Sequence, residues 1–310
     1  MDFDGDGHPD ILSGSYSPGD LYLFRGEGKG KFKPGEIIKG KDGNPVRVGY
    51  ASTVFAYDWR GTGKLDLLCG CIEGFVWLVP NEGTRQKPAY GKPVKLEADG
   101  KPIQVPHGDS HAIVADWDGT GKPGLMVGCG DGSVLWYKNA GSKTEPKLAA
   151  ARTLVPPPPQ VPYDKPDQLP TKAGRGSRAK VWVCDWNGDG RLDLLVGDFG
   201  QSWGEMPKLT DKDRAEKKEL EAKQEKLQTE MKAYQDDIQK VYDEIQKITD
   251  PIQKEKERTE RNQKVFERHK KTIEEQSKLY QALRKFDRPY TFHGQVWLFL
   301  RQPAATTSSR

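Results

Sequence analysis

The chain has 310 residues, with 49 basic and 45 acidic side chains and a formal net charge of +4. That near balance provides no strongly basic surface for nucleic acid, and no run of about 18 apolar residues exists to form a transmembrane helix. Its 34 glycines and 22 prolines favour a turn-rich, mainly β architecture. The cysteines are too few for a disulfide scaffold, and their spacing matches no zinc site: Cys69, Cys71, Cys129 and Cys184.

An acidic segment of nine residues occurs four times, at intervals of about 60 residues. Each copy has Asp at position 1, Gly at positions 4 and 6, and an apolar run ending in Gly after position 9. We call these segments loops one to four: Asp2–Asp10, Asp58–Asp66, Asp116–Gly124 and Asp185–Asp193. Four copies that follow one rule predict a repeat fold.

Short β-branched and aromatic runs flank the loops and predict strands. They precede loops two to four at 53–57, 112–115 and 180–184, and aromatic runs follow at 21–24, 75–79 and 134–137. Asp42-Gly43 and Asp99-Gly100 predict hairpin turns. One unit is therefore about four antiparallel strands. Because such sheets bury both faces when they pack radially, the predicted fold class is mainly β, a β-propeller with four recognisable blades.

The acidic pattern Asp-x-Asp-x-Asp-Gly-x-x-Asp, followed by an apolar strand and Gly, resembles the FG-GAP or VCBS-type repeat, the integrin-α-like calcium-loop repeat. Loops one and four match it most fully. The resemblance implies a propeller with calcium in the loop between the first and second strands of a blade. It also implies an extracellular, periplasmic or cell-surface protein.

The loop chemistry independently suits calcium, which takes six to eight oxygen ligands. Side chains at positions 1, 3, 5 and 9 can converge, and the carbonyl of position 7 can add an oxygen. The loops lack the Glu at position 12 of an EF-hand. The candidate ligands in loop one are Asp2, Asp4, Asp6, Asp10 and the His8 carbonyl; those in loop four are Asp185, Asn187, Asp189, Asp193 and the Arg191 carbonyl.

Loops two and three depart from the pattern. Loop two has Arg60 at position 3 and Thr62 at position 5, so a guanidinium there repels calcium and can pair with Asp58 and Asp66. We expect loop two to bind no metal. Loop three keeps Asp116, Asp118 and Thr120 but has Gly124 at position 9, which leaves weak calcium binding open. Loops two to four have Trp at position 2, where loop one has Phe3; we expect Trp59, Trp117 and Trp186 to wedge between adjacent blades rather than to contact a ligand.

A helical segment of different composition interrupts the fourth unit before the strand at 295–300. Its first half has an apolar seam at alternating three- and four-residue spacing, from Leu220 to Ile248. Asp250 and Pro251 predict a restart, and the second half repeats Ile252, Thr259, Phe266, Ile273 and Tyr280 every seven residues. We predict an antiparallel coiled-coil hairpin with arms of roughly 50 Å. It either closes on itself or binds a partner protein or a second copy.

Polar residues near the entrances of the first strands form a candidate ligand face, opposite the acidic loops, for a protein or a glycan: Ser52, Thr53, His107, Asp109, Ser110, His111, Ser177 and Arg178. The set at 107–111 also suggests catalysis, but the members of a catalytic triad usually come from separate segments. Simple hydrogen bonding within loops is the third interpretation.

These features predict a calcium-binding module that binds a ligand or acts as a scaffold. The alternatives are a polysaccharide-cleaving lyase or hydrolase on a calcium propeller, by analogy of fold alone, and a structural part of a larger surface protein. We expect no nucleic-acid partner and no membrane span. No signal peptide follows Met1. Blade one begins at its acidic loop without a first strand, and blade four ends on its third strand, so we expect Met1 not to be the natural start and a signal peptide and further strands to precede it.

The predicted organisation has four segments. Blades one to four occupy 1–204, and the helical insertion occupies 205–289. A returning strand of blade four lies within 290–302, and a disordered tail completes the chain at 303–310.

Overall fold

The computed structural model describes residues 1–159, 161, 168–248 and 251–302. The chain divides into two compact units, one comprising Met1–Ser202 with Thr291–Arg310 and the other comprising Trp203–Tyr290. The predicted tail at 303–310 and the predicted helix cap at Asp250 lie outside the described residues.

The structure is mainly β, with antiparallel sheets and two long helices. The strands, in chain order, are β1 (Ile11–Ser13), β2 (Tyr22–Phe24), β3 (Gly26–Gly28), β4 (Lys31–Phe32), β5 (Glu36–Ile37), β6 (Thr53–Tyr57), β7 (Asp66–Gly70), β8 (Val76–Val79), β9 (Val94–Lys95), β10 (Glu97–Ala98), β11 (Lys101–Pro102), β12 (His111–Ala115), β13 (Gly124–Gly128), β14 (Val134–Tyr137), β15 (Arg152–Val155), β16 (Ser177–Cys184), β17 (Asp193–Trp203), β18 (Tyr290–His293) and β19 (Val296–Phe299).

Four sheets follow one another along the chain. The first sheet has the order β1-β2-β5, the second β6-β7-β8-β9 and the third β12-β13-β14-β15. The fourth has the order β16-β17-β18, with β19 also paired to β17. The short hairpin β10-β11 turns at Asp99-Gly100, where both residues have positive φ (51° and 71°), as the sequence predicts.

The hydrophobic cores lie between consecutive sheets. Phe3, Leu23 and Leu67 belong to the cluster between the first and second sheets. The next cluster joins the second and third sheets, and a further one joins the third and fourth. In β13, Leu125 and Val127 belong to one cluster and Met126 to the other. Because side chains alternate along a strand, a sheet between two neighbours buries both faces.

The glycine that ends the apolar run after each acidic loop permits this packing. A Cβ placed on Gly14, Gly70 or Gly128 would lie 1.9, 2.0 or 2.1 Å from a backbone carbonyl oxygen of the following sheet. Those oxygens belong to Ser52, Ser110 and Ala179, respectively. Gly197, the equivalent residue of loop four, has its nearest neighbour at 3.7 Å, within its own sheet. The glycine therefore allows the first strand of the next sheet to approach the backbone.

The tryptophan at position 2 is buried as predicted in loops two and three and is exposed in loop four; Phe3 of loop one is buried as well. Phe3, Trp59 and Trp117 are buried, each in the cluster between its own sheet and the next. Trp186 is 60% exposed, so its prediction as a wedge is wrong. The wedge requires a following sheet, and no further sheet follows the fourth among the described residues.

The second unit contains helix α1 (Asp211–Ile245), helix α2 (Pro251–Leu283) and a 3-10 turn at Arg284–Phe286. Thr210 and Asp213 form a reciprocal capping box that fixes the start of α1. Pairs between the helices run in opposite directions along the two sequences, from Lys285 with Glu216 at 2.6 Å to Arg261 with Glu244 at 2.5 Å. The two helices are therefore antiparallel.

The seam between the helices matches the prediction in α1 and differs in α2. Leu227 and Ile245 of the predicted α1 seam are buried. In α2, however, Phe266 and Tyr280 are 38% and 57% exposed, while Val265 is buried. The helix α2 is therefore rotated about its axis relative to the predicted seam. A polar contact explains this rotation, because the His269 Nε2 atom lies 3.1 Å from the Asp237 carboxylate of α1. Of the predicted row at seven-residue spacing, Thr259, Phe266 and Tyr280 are therefore exposed, and Ile273 is half-buried.

A β-ribbon that the sequence did not predict leads into the helical segment. The strand β17 continues past Phe199 to Trp203 and pairs with β18. Phe199 and Phe292 stack with ring centroids 5.1 Å apart. At the end of the ribbon, the Gly204 N–H donates to the Pro289 carbonyl over 2.8 Å. The ends of the inserted segment are therefore adjacent.

Because these ends are adjacent, replacing residues 205–288 with a short Gly-Ser linker is expected to leave the β unit folded. Closing a short loop in place of a long one costs little entropy. Circular dichroism should lose its helical minima and keep its β signal, and one cooperative thermal transition should persist. A shortened protein without that transition would contradict an independent insertion.

Candidate metal-binding loops

The four acidic loops share one backbone. Glycines at positions 4 and 6 have positive φ in every loop, for example 84° at Gly5 and 91° at Gly7. The carboxylate at position 1 accepts two backbone N–H groups in each loop; in loop four, Asp185 accepts from Asp189 and Gly190 over 3.0 and 2.9 Å. The glycines allow this reversal, since other residues rarely adopt positive φ. Loops two and three therefore keep the fold although their ligand residues differ.

Loop one brings three of its predicted ligands together. Asp2, Asp4 and Asp10 each offer a carboxylate oxygen, and these oxygens lie within 4.8 Å of one another. This is the one group of three or more acidic, histidine or cysteine side chains at such separations among the described residues. Asp6 lies outside it, and its carboxylate accepts the His8 N–H over 2.8 Å. Oxygen-only donors at this spacing suit a hard divalent cation.

Charge in loop one is balanced by hydrogen bonds and a guanidinium. Slight burial raises the pKa of Asp2, but backbone N–H groups from Gly5 and Gly7 outweigh it, so the pKa of Asp2 lies below its usual value. Arg25, which follows β2, pairs through its Nη1 with the Asp4 carboxylate. The Arg25 Nε also lies 3.8 Å from Glu36.

Loop four holds its predicted ligands in a more open arrangement. Asp185, Asn187 and Asp189 are exposed, and the Asn187 side-chain amide donates to Asp189 over 2.9 Å. The Arg191 guanidinium lies 2.5 Å from the Asp189 carboxylate. Among the described carboxylates, those of loop four do not form a group of three as close as that of loop one.

Position 9 has a structural role that the sequence analysis missed. Asp10, Asp66 and Asp193 are buried. Their Oδ1 atoms accept a backbone N–H from just beyond β2, β8 and β19, respectively: from Gly26, Asn81 and Arg301 over 2.7, 2.8 and 2.8 Å. The Oδ2 atoms of Asp10 and Asp193 accept the N–H of position 2. The available signal was the retention of Asp66 in loop two, where no metal is expected.

Loops two and three hold cationic side chains. Arg60 donates to both oxygens of the buried Asp66 over 2.8 and 3.1 Å and to the Asn81 carbonyl over 3.0 Å. The predicted pairing with Asp66 is therefore present, whereas Asp58 accepts the N–H groups of Thr62 and Gly63. In loop three, the Lys138 Nζ lies 2.7 Å from the Asp118 carboxylate.

Each of the first three loops is also contacted by the following sheet. The Arg85 guanidinium donates to the Asp2 carbonyl over 3.0 Å. Thr144 packs beside Gly61, where an added Cβ would lie 2.2 Å from its methyl group. Arg301 donates to the Trp117 carbonyl and lies 4.7 Å from the centre of the Trp117 ring. These contacts couple each acidic loop to its neighbouring sheet.

Two of these contacts come from a turn that the sequence analysis did not single out. The buried Asn81 accepts the N–H groups of Gly83 and Ala89 over 2.9 and 3.2 Å, and Asn139 accepts those of Gly141 and Lys147 over 2.9 and 3.1 Å. The available signal was the repeated pattern Asn-x-Gly-(Thr/Ser)-x-x-x-Pro, beginning at both asparagines.

Several side chains of the candidate ligand face form hydrogen bonds between neighbouring sheets. The Ser110 hydroxyl donates to the Phe75 carbonyl over 2.7 Å, and the Thr53 hydroxyl donates to the Ser110 carbonyl over 3.2 Å. Ser52 accepts the Ser15 N–H over 3.1 Å. These hydroxyls join neighbouring sheets and are engaged by the backbone.

The charged members of that face are also paired. Asp109 lies 2.9 Å from Lys180 and 3.6 Å from Arg178. The His111 Nδ1 accepts the Val181 N–H over 3.2 Å. Burial, with a smaller contribution from Lys180, lowers the pKa of His111 to about 4, so the imidazole is neutral near pH 7.

His107 and Ser177, the two remaining residues of the candidate ligand face, make contacts that are separate from these ion pairs. The Ser177 hydroxyl donates to the Phe199 carbonyl over 3.2 Å. His107 has a positive φ of 55°, and its carbonyl packs against Gly130. Both positions therefore serve local backbone geometry.

Comparison with known proteins identifies the repeat. Residues 2–69 match the family model of an FG-GAP-like repeat, a span that includes loops one and two. The chain therefore carries FG-GAP-type repeats, which confirms the resemblance seen in the sequence. No curated protein matches the chain. In the part of the chain that the structure describes, no helix has the length and apolar character needed to cross a membrane.

Proposed function

We propose that the protein is a binding or scaffold module built as a calcium-stabilised β-propeller with a helical arm. The observation that carries the metal assignment is the convergence of Asp2, Asp4 and Asp10. Calcium accepts such carboxylate ligands in flexible geometry, with water and carbonyls completing its shell. Loop four shares the backbone of loop one and is the second proposed site; its proposed ligands come from Asp185, Asn187, Asp189, Asp193 and the Arg191 carbonyl.

The propeller assignment rests on how the sheets pack. Consecutive sheets meet face to face, and the first strands β6, β12 and β16 adjoin one another. The Phe55 and Trp182 rings, from the first strands of the second and fourth sheets, are 6.1 Å apart. First strands that meet near a common centre are what radial packing of blades produces.

The contacts favour binding or scaffolding over catalysis. In the 107–111 segment, Ser110 and His111 are held by backbone groups, and Asp109 is paired with cations. The wider polar face and the exposed side chains Thr259, Phe266 and Tyr280 of α2 are the surfaces proposed for a protein or glycan partner. FG-GAP repeats are typical of extracellular proteins. We therefore propose an extracellular, periplasmic or cell-surface setting, where calcium is abundant.

Calcium titration tests this function. Two binding events are expected by isothermal calorimetry, and the melting temperature should rise, since a ligand at 100 times its Kd stabilises by about 2.7 kcal/mol. Asp4→Asn should remove the event of loop one, and Asp189→Ala that of loop four. Asp4 is chosen because Asp10 also ties strands together.

Thr62→Ala in loop two is the matched control and should leave both binding events unchanged. Magnesium at the same concentration tests selectivity. A chain that shows neither heat nor a thermal shift at millimolar calcium would overturn the proposed function.

A further inference from the structure

One cationic side chain contacts a carboxylate in every acidic loop, and these side chains come from three different positions, since Arg25 and Lys138 follow equivalent strands. Arg25 follows the strand β2, Arg60 occupies position 3, Lys138 follows β14 and Arg191 occupies position 7. Their partners are Asp4, Asp66, Asp118 and Asp189, respectively. Since the origins differ and the result is the same, each loop concentrates negative charge that a cation neutralises.

The four contacts differ in how firmly they are held. Arg60 makes three hydrogen bonds, two of them to the fully buried Asp66, so its charge is fixed in loop two. Arg25 and Arg191 each make a single ion pair with their loop carboxylate, and both side chains are partly exposed. Exposed single pairs contribute little free energy, about 1 kcal/mol or less. Such side chains can leave without unfolding the loop.

Arg25 has a second acidic partner within reach. Its Nε lies 3.8 Å from the exposed Glu36 carboxylate on β5 while its Nη1 contacts Asp4. A small rotation of the guanidinium moves the positive charge from the loop to the edge of the first sheet. The Arg191 Nε donates to the Arg301 carbonyl over 3.3 Å while its Nη2 contacts Asp189, so the side chain keeps a hydrogen bond outside the loop when the carboxylate is taken by a metal.

We propose that Arg25 and Arg191 are displaceable counter-ions that compete with the divalent cation for loops one and four. This inference rests on the proposed calcium function. Binding of the metal to Asp4 transfers Arg25 to Glu36, and binding to Asp189 releases Arg191. The two arginines therefore set the affinity of their own loops, whereas Arg60 keeps loop two permanently neutralised.

Affinity measured one loop at a time tests the proposal. In an Asp189→Ala background, which reports on loop one, Arg25→Gln should lower the calcium Kd by up to about fivefold, the factor that corresponds to an exposed ion pair of about 1 kcal/mol. In an Asp4→Asn background, Arg191→Gln should do the same for loop four. Raising the ionic strength should shrink both differences.

Lys31→Gln is the matched control, since it removes the same charge from an exposed strand of the same region and should leave the Kd unchanged. A second readout follows Arg25 itself: its Nε–Hε resonance should shift during calcium titration of the Asp189→Ala protein, in proportion to the loading of loop one.

The outcomes distinguish failure of this inference from failure of the proposed function. Calcium binding with the same Kd in the Arg25→Gln and parent proteins, or an unmoved Arg25 resonance, would overturn this inference and leave the proposed function standing. Absence of calcium binding in the unsubstituted chain would overturn both.

Discussion

Replacing Arg60 with alanine is expected to destabilise the β unit by about 3–5 kcal/mol, the cost of leaving a buried carboxylate without its counter-charge. Asp66 is fully buried, and Arg60 supplies two of its hydrogen bonds; the third comes from the Asn81 N–H. Urea denaturation followed by near-ultraviolet circular dichroism should show the midpoint of the β unit moving to lower urea.

Two further variants isolate the cause. Lys138→Gln removes the corresponding cation of loop three, where Asp118 is partly exposed, and should cost less than about 1 kcal/mol. Adding Asp66→Asn to Arg60→Ala should recover part of the loss, because the amide oxygen can still accept the Asn81 N–H without carrying a charge. Equal losses for Arg60→Ala and Lys138→Gln would contradict the buried-pair explanation.

The second large effect is expected from Gly128→Ala. The added Cβ would lie 2.1 Å from the Ala179 carbonyl oxygen, which belongs to the backbone of the fourth sheet and cannot rotate away. The sheets must therefore separate, and overpacking of this kind costs roughly 3 kcal/mol. Thermal unfolding should show the melting temperature of the β unit falling by several degrees.

Gly197→Ala provides the matched control at the equivalent position of loop four. Its nearest neighbour would be 3.7 Å away, an ordinary contact, so the melting temperature should stay the same or rise slightly. If both substitutions destabilise equally, the glycine is needed for the strand conformation and not for the approach of the next sheet.

Local pattern was enough to locate the repeated units. The spacing of aspartate and glycine identifies all four loops, and the strands at 53–57 and 134–137 match β6 and β14 residue for residue. These features depend on turns and alternation, which act within a few residues. The pairing of Arg60 with Asp66 was also accessible, because both residues belong to one loop.

Features that depend on distant neighbours were predicted less well. Trp186 carries the same motif as Trp59 and Trp117, yet it is exposed because, in the described part of the chain, a following sheet packs against the earlier two only. The rotation of α2, which leaves Phe266 outside, depends on the contact of His269 with Asp237 of α1. The role of Asp10 required knowing that the Gly26 N–H returns beside it.

The sequence by itself determined the repeat, the loop backbone with its glycines, and the oxygen-rich chemistry of loops one and four, since each depends on residues adjacent in the chain. Only the tertiary structure decided which carboxylates converge, which of them accept hydrogen bonds from backbone N–H groups, and which cationic side chains reach each loop. Arg25 and Lys138 arrive from strands beyond the loops they contact. The physical reason is that charge balance depends on distance in space, which sheet packing sets and the local pattern does not.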